Sequence, residues 1–492
     1  MTDNEQHKRP SSDGVSANPA GVGIVRSILE RADPTAPCLI DGPTGIMHTY
    51  YDVLKSITHC SKSFANDRKK LAFLAAANTV DSVLAYLTLL DLGYAIYLSN
   101  QDSDPANLSD AIERYKPDIL AGFDVAPLRD YEIQQSGLAL PVAQRRSDTA
   151  TQLHPDLAIL LSTSGTTGSC KFVRLSHTNI LANAHSIATY LGLTPTDRAI
   201  SMLPLAYSYG LSVLHSHLVS GASIVLSQDP IVAREFWQAF NRQGCTSLVG
   251  VPYTHQTLLK LGIFRRPPKS LRYVTQAGGR LDPALALEIH TLLSVHSIPF
   301  FVMYGQTEAT ARIAYLAPEQ LPTKVGSIGK AIPGGALSII NQGNKPAGAH
   351  TTGEVVYRGP NVMMGYAESP VDLSRGDDQG GVLRTGDLGF FDQEGFFFLT
   401  GRMKRIAKIL GMRINLDEVE ALLGTLCPVA AVEVNDAIHC FYRGDSGCDI
   451  EQMRSFITAK LNLPSDYIVF RPIREIPRLS NGKCDYQTLA TL

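Results

Sequence analysis

At 492 residues, with 44% hydrophobic and 18% charged side chains, the chain exceeds what one ordinary core supports, and its composition excludes a disordered or fibrous polymer. Its 44 Lys and Arg against 46 Asp and Glu leave a net charge of -2, without the basic excess that meets a phosphodiester backbone, so no nucleic-acid partner is expected. No signal-peptide order opens the chain, the most apolar run, Val83 to Leu98, is broken by Thr88, Asp91 and Gly93, and the 8 cysteines are scattered; no membrane span, a cytoplasmic location and reduced thiols follow as expectations.

Residues 1–21 mix charges, Ser, Asn, Pro and Gly without periodicity and read as a disordered tail. From Leu71 a β-α-β grammar begins: the apolar run Leu71 to Ala75, Asn78 as a helix cap, Val80, Val83, Leu84 and Leu87 at helical spacing, Gly93 as a stop, then Ala95 to Leu98. Similar alternation over Asp156 to Leu191, Ala222 to Leu261 and Tyr273 to Val302 predicts a layered α/β body on largely parallel strands. From Gly353 short strands with Gly-rich turns predict a β-rich subdomain. After Arg402 comes a helical stripe, Leu416, Val419, Leu422 and Leu423, then the strands Val429 to Val434 and Ile438 to Tyr442 and a helix near Met453 to Leu461. This reads as a separate small α+β unit, giving 22–403 for the large N-terminal domain and 404–492 for the C-terminal one.

The apolar strand Leu157 to Leu161 runs into Ser162-Thr163-Ser164-Gly165-Thr166-Thr167-Gly168-Ser169-Cys170-Lys171. Hydroxyls, glycine amides and one cation gathered in a single loop are the chemistry that wraps a polyphosphate, although the spacing is not that of a Walker A loop. A solvated turn is the ordinary reading of such a composition; the loop's length and its place after a buried strand argue against it.

The order within this loop resembles the phosphate-binding signature of the adenylate-forming superfamily, which includes acyl-CoA synthetases, nonribosomal-peptide adenylation domains and beetle luciferases. Further segments follow in that family's order: Tyr304-Gly305-Gln306-Thr307-Glu308, Gly353-Glu354 with Gly365-Tyr366, Arg384-Thr385-Gly386-Asp387, Gly401-Arg402, and Pro477 through Asn481-Gly482-Lys483. The resemblance implies that Thr163, Ser164, Gly165, Thr166, Thr167, Gly168 and Lys171 wrap the phosphates of ATP. It places Gly278 and Gly279 along the adenine, Tyr304 and Gly305 against the base, and Thr307 at the α-phosphate. Glu308 would hold Mg2+, and Asp387 and Arg402 would meet the ribose. Lys483 is implied to stabilise the charge that gathers when a carboxylate attacks the α-phosphate. A mobile C-terminal domain would then turn about Lys404 and bring Gly411 to the tunnel of the incoming thiol.

The resemblance also implies an acyl pocket formed by Tyr207, Ser208, Gly250, Gln276 and Ala277; Arg312, which follows the magnesium segment, is expected to reach a polar acyl substituent from there. Ser208 stands where amino-acid activators carry an Asp, so an α-ammonium would lie unpaired and an amino acid is disfavoured. His215 and His217 read as structural, Cys170 as a free thiol without an assignable base. The expected reaction converts a small-molecule carboxylic acid and ATP into acyl-AMP and pyrophosphate. A thiol, either CoA or the phosphopantetheine of a separate acyl or peptidyl carrier protein, then displaces AMP. A non-thiol acceptor, a luciferase-type oxidation and a catalytically silent binding protein are the alternatives. Intact Lys171, Glu308, Asp387 and Lys483 argue against silence.

Overall fold

The computed structural model describes residues 21–492 except 65–67, 101–104, 125–128, 148–150, 163–170, 342, 404, 411, 462 and 480–481. The expected tail lies outside the described residues up to its last member. Gly21 already belongs to the body: its carbonyl accepts the Ile24 N–H at 3.2 Å, and a Cβ there would lie 2.2 Å from the His177 ring.

Six strands run parallel, in the spatial order Pro37–Asp41, Ser223–Leu226, Arg198–Ile200, Ser247–Gly250, Tyr273–Gln276 and Phe300–Tyr304. Beyond Phe300–Tyr304 the same sheet turns antiparallel through Ala314–Leu316 and Ser327–Ala331 into Phe397–Arg402, Val382–Phe391, Gly353–Arg358 and Ala336–Ile340. The β-rich segment therefore extends the main sheet, and this continuity brings Asp387 and Arg402 to the ends of the parallel strands.

The second sheet contains four parallel strands in the order Leu157–Ser162, Ala95–Asn100, Leu71–Ala76 and Ile119–Ala121. Leu71–Ala76 is buried at all six residues, as a strand covered on both faces must be. Thr79, not Asn78, caps the following helix Val80–Asp91: its extended backbone sets Oγ1 to accept the Ser82 N–H at 3.3 Å, while the Asn78 amide donates to the Leu203 carbonyl. The expected alternation after Asp156 is also different. Leu157–Ser162 and Phe172–Ser176 pair antiparallel, because the stretch between them is too short for a parallel crossover.

Alternation along the strands assigns neighbours to different layers. Leu39, Ile224, Leu74 and Leu98 join the helices Val80–Asp91 and Ser208–Val219 in an apolar layer between the two sheets. Ile40 and Val225 face the opposite way, onto Phe236, Phe240, Ile289 and Leu293. Phe73, Tyr97 and Phe172 build the outer layer of the second sheet.

From Ala407 onward two apolar clusters draw only on residues of the C-terminal segment, around the helices Leu416–Leu423 and Ile450–Leu461 and the sheet Val429–Val434, Ala437–Arg443 and Ile468–Ile473. One expectation fails here. Cys427 and Cys448 form a disulfide, with Cα atoms 5.7 Å apart. Their 21-residue separation shows no short spacing, yet the fold brings the end of one helix beside the entry to the next. Cys38, Cys60, Cys245, Cys440 and Cys484 are free. Among the described residues, no helix is long and apolar enough to cross a membrane.

Candidate active site

Gly250, Gln276 and Tyr304 end three neighbouring parallel strands, so the turns that follow them open at one sheet edge. Carboxyl ends of parallel strands are where open α/β sheets receive ligands. Gly305 sets the course of the last turn: a Cβ there would lie 1.8 Å from the Ala311 carbonyl, so only glycine lets residues 306–312 fold back beside Tyr304. That fold carries Thr307, Glu308 and Arg312. Thr307 and Ser208 bring their hydroxyl oxygens to 3.3 Å.

Asp387 is 3% exposed and is held from three sides. Its Oδ2 accepts the Tyr304 hydroxyl and, at 2.8 Å, the Gln306 amide; its Oδ1 accepts Arg402 Nε at 2.9 Å across the strand pair that sets Asp387 opposite Arg402. A buried carboxylate needs such partners. Burial first, then the charge of Asp387, pushes the Tyr304 phenol well above its ordinary value, so Tyr304 remains a donor. Three protein donors occupy most of the roughly four acceptor positions of a carboxylate. A ribose diol thus meets a carboxylate already engaged, more so than the motif alone implies.

Glu354 explains a neighbouring motif. Its carboxylate takes Arg384 Nε at 2.7 Å and the Gly386 N–H at 3.2 Å, fixing the irregular stretch of the strand Val382–Phe391 that presents Asp387. Tyr366 has a similar use: its hydroxyl donates to Glu308 Oε1 at 2.9 Å, and the Lys171 ammonium lies 3.8 Å from its ring centroid. Lys171 also pairs with the exposed Glu368 at 3.1 Å. Gln306 and Tyr366 stand within motifs that suggest a role for neither; only the fold shows them touching Asp387, Glu308 and Lys171.

Glu308 can supply one carboxylate to a magnesium ion. Among the described residues no three His, Cys, Asp or Glu side chains gather as a metal cage. One hard oxygen donor beside Lys171 suits a small cation that keeps its remaining ligands from phosphates and water.

Lys483 comes from a tight turn of the C-terminal segment, closed by Leu479 N–H to the Lys483 carbonyl at 2.8 Å. That turn rests on the large body: Gly482 lies so near Val251 that a Cβ would approach it to 2.9 Å, and the Arg478 guanidinium stands 5.2 Å from the Tyr253 ring. The Lys483 ammonium lies 5.9 Å from the Tyr207 ring centroid. Burial and the charge of Arg402 lower its pKa, while Glu308 and Asp387 oppose the shift.

Tyr207 seats its hydroxyl over Gly278, where a Cβ would lie 2.5 Å from it. The Gln276 amide donates to the Gly279 carbonyl at 2.8 Å, shaping the turn at Ala277 and Gly278. Arg312 is buried with its guanidinium 3.8 Å from the Tyr209 ring. His215 and His217 are buried on the Tyr86 hydroxyl and the Val213 carbonyl. Thr163 through Gly168, Cys170, Lys404 and Gly411 lie outside the described residues.

Residues 123–367 match the family model described as AMP-binding enzyme. The chain is 34% identical over 379 residues to the sulfoacetate–CoA ligase of Cupriavidus necator, covering 74% of this chain and 72% of that protein. It is 33% identical over 377 residues to the oxalate–CoA ligase of Arabidopsis thaliana, with 72% of each covered. Against the 2-succinylbenzoate–CoA ligase of Bacillus licheniformis the identity is 30% over 442 residues, covering 86% of this chain and 89% of the other. The fold is that of the o-succinylbenzoate CoA synthetase of Bacillus subtilis solved with its acyl-adenylate intermediate, at TM-score 0.76 and 24% identity over 94% of this chain and 96% of that one. With relatives of this identity and span, the chain belongs to the AMP-binding enzymes of the adenylate-forming superfamily, and within it to the AMP-forming acid–thiol ligases.

Proposed function

We propose that the chain activates a small-molecule carboxylic acid with ATP, releasing pyrophosphate, and passes the acyl group from acyl-AMP to CoA through the residues assembled at this sheet edge. The observation that carries the reading is the seating of Lys483, from the C-terminal segment, on the large body beside Tyr207, with Gly482 against Val251, where the charges of Arg402, Glu308 and Asp387 act on it. The nucleotide lies along Gly278, Gly279 and Tyr304, its ribose at Asp387 and Arg402, its phosphates at Thr307, Lys171 and the loop 163–170. Glu308 would hold magnesium, which would neutralise phosphate charge when bound. The acid lies against Tyr207, Ser208, Gly250, Gln276 and Ala277.

A free carboxylate is a poor acyl donor, whereas the mixed anhydride with AMP has a good leaving group. Forming that anhydride brings two anions together. Lys483 places a cation where the attacking oxygen and the α-phosphate converge, and a fixed charge in a water-poor site needs no reorganisation as the transition state forms. The second step needs the acyl carbonyl uncovered. The C-terminal segment has its own cores, so we assign to 404–492 a swing about Lys404 that withdraws Lys483 and brings Gly411 forward.

The acids in the relatives' names, sulfoacetate, oxalate and 2-succinylbenzoate, have different skeletons, and each bears an acidic group beyond one carboxylate. A separate carrier protein is the competing acceptor. The test measures pyrophosphate release and hydroxamate formation over an acid panel, then thioester formation with CoA and with a pantetheinylated carrier. ATP binding without pyrophosphate release from any acid would sink the ligase reading.

A further inference from the structure

Arg312 is a buried cation without an anion. It is 2% exposed, and among the described residues no carboxylate forms an ion pair with it. Its Nη1 makes one long contact, 3.4 Å, with the Ala311 carbonyl, and its Nε has no hydrogen-bond partner. The Tyr209 ring centroid lies 3.8 Å from it, and the phenols of Tyr190 and Tyr209 offer neutral oxygens. Arg174 shows how this protein satisfies a guanidinium it buries for structure: Asp378 Oδ2 at 2.6 Å and the carbonyls of Tyr366 and Met364, each at 3.2 Å, receive its donors. Arg312 lacks that arrangement, and an uncompensated buried charge is costly.

The surroundings hold Arg312 still. Thr310, two residues earlier, has φ 63° and ψ -52°, an uncommon conformation for a β-branched residue. Its hydroxyl donates to the Asn361 carbonyl at 2.7 Å, and the Asn361 amide donates to the Ala309 and Arg312 carbonyls at 2.9 and 2.8 Å. Strain of this kind persists where the neighbourhood over-determines it.

Tyr209 packs edge-on against Tyr207 with ring centroids 6.3 Å apart, and the Lys483 ammonium lies 5.9 Å from the Tyr207 ring centroid. Of these two adjoining rings, Tyr209 therefore carries Arg312 and Tyr207 has Lys483 nearby. The carboxylate undergoing activation belongs at the Lys483 end. Arg312, against the neighbouring ring, is placed to meet a second group of the same acid.

We propose that the acid activated here carries a second anionic group, carboxylate or sulfonate, which pairs with the guanidinium of Arg312 as the missing counter-charge. The inference rests on the assignment of Tyr207 and its neighbours to the acyl pocket. A guanidinium presents a planar fork matched to such oxyanions, so Arg312 would select for charge and geometry together.

The test compares kcat/KM for pyrophosphate release within matched pairs: butyrate with succinate, and benzoate with the phthalate and sulfobenzoate isomers. The wild-type enzyme should favour the dianion in at least one pair by about 100-fold, the R312Q enzyme should lose that preference, and R312K should retain part of it, as expected for a charge-assisted contact. The sulfonate and dicarboxylate arms show which anion is preferred. A wild-type preference for the monoanion in every pair, or an unchanged ratio in R312Q, overturns the assignment while leaving the ligase reading intact. Release from no acid at all overturns both. Should R312Q melt at the assay temperature, the wild-type ratio and that of R312K decide.

Discussion

The Tyr366 hydroxyl donates to Glu308 Oε1 at 2.9 Å while its ring carries the Lys171 ammonium at 3.8 Å, so one tyrosine links the cation beside the Ser/Thr/Gly loop to the carboxylate assigned to magnesium. Burial first and Glu308 second push the Tyr366 phenol above its ordinary range, which keeps the proton on the donor. Two separable functions follow. Tyr366→Phe keeps the ring and drops the hydrogen bond, and should lower kcat/KM for Mg-ATP by about tenfold, the scale of a bond to a charged group. Tyr366→Leu removes both contacts and should lower it further. Magnesium titrations at fixed ATP check the first effect; equal losses in both variants would mean the ring contact contributes nothing.

Much of this geometry was legible in the sequence because the motifs are continuous. Tyr304 through Glu308 run on from one strand end and Arg384 through Asp387 lie within a single strand, so the identity of each reactive group is local. What was not legible is which groups share a proton or a charge. Asp387 meets Gln306 across 81 residues and Lys171 meets Tyr366 from a different strand, contacts that depend on sheet order. The antiparallel pairing of Leu157–Ser162 with Phe172–Ser176 escaped the reading because apolar runs record burial and not strand direction. The disulfide Cys427–Cys448 escaped for a similar reason: it joins residues that only the folding of the C-terminal segment makes neighbours.

Asp387 accepts from Tyr304, Gln306 and Arg402, so its acceptor capacity is the shared resource of the ribose end. Asp387→Asn puts an amide donor against at least one of these donors and leaves Arg402 without its carboxylate. The ATP KM should rise by about 100-fold. Gln306→Leu removes one donor and leaves the carboxylate in place, so its loss should be smaller, about tenfold or less. Calorimetric titration of ATP into each variant orders the two; a larger loss for Gln306→Leu would contradict the central place given to Asp387.

Arg174 has a fully buried side chain and ties the strand after the Ser/Thr/Gly loop to residues 364–378 through Asp378 and the Met364 and Tyr366 carbonyls. Arg174→Met matches much of the stem volume and strands one carboxylate and several carbonyls. It should destabilise the protein by about 3 kcal/mol or more, read by denaturant unfolding. Because the Tyr366 backbone loses its anchor, ATP affinity should fall with it, although Arg174 is assigned no contact with ligand. Unchanged stability would mean that solvent replaces these bonds, contrary to the burial of the side chain.

Lys483 sets the pH dependence of the first step. The ammonium is the active form in the assignment made here, so adenylation should be sustained below its pKa and lost as pH rises through it. Burial, assisted by Arg402, lowers that pKa against the opposing pull of Glu308 and Asp387. The alkaline limb of the pyrophosphate-release rate should therefore fall at a lower pH than an exposed lysine, with its ordinary value near 10.4, would give. Lys483→Arg keeps a cation that does not titrate in this range and should move the limb upward or abolish it, at a lower maximal rate because the fork does not reproduce a point charge. Lys483→Ala should reduce adenylation by about 100- to 1,000-fold, on the scale of a lost electrostatic contact to the transition state, while ATP still binds through Tyr304 and Asp387. A pH profile that is identical in Lys483→Arg and wild type would assign the limb to another group, and full adenylation by Lys483→Ala would remove the lysine from the chemistry.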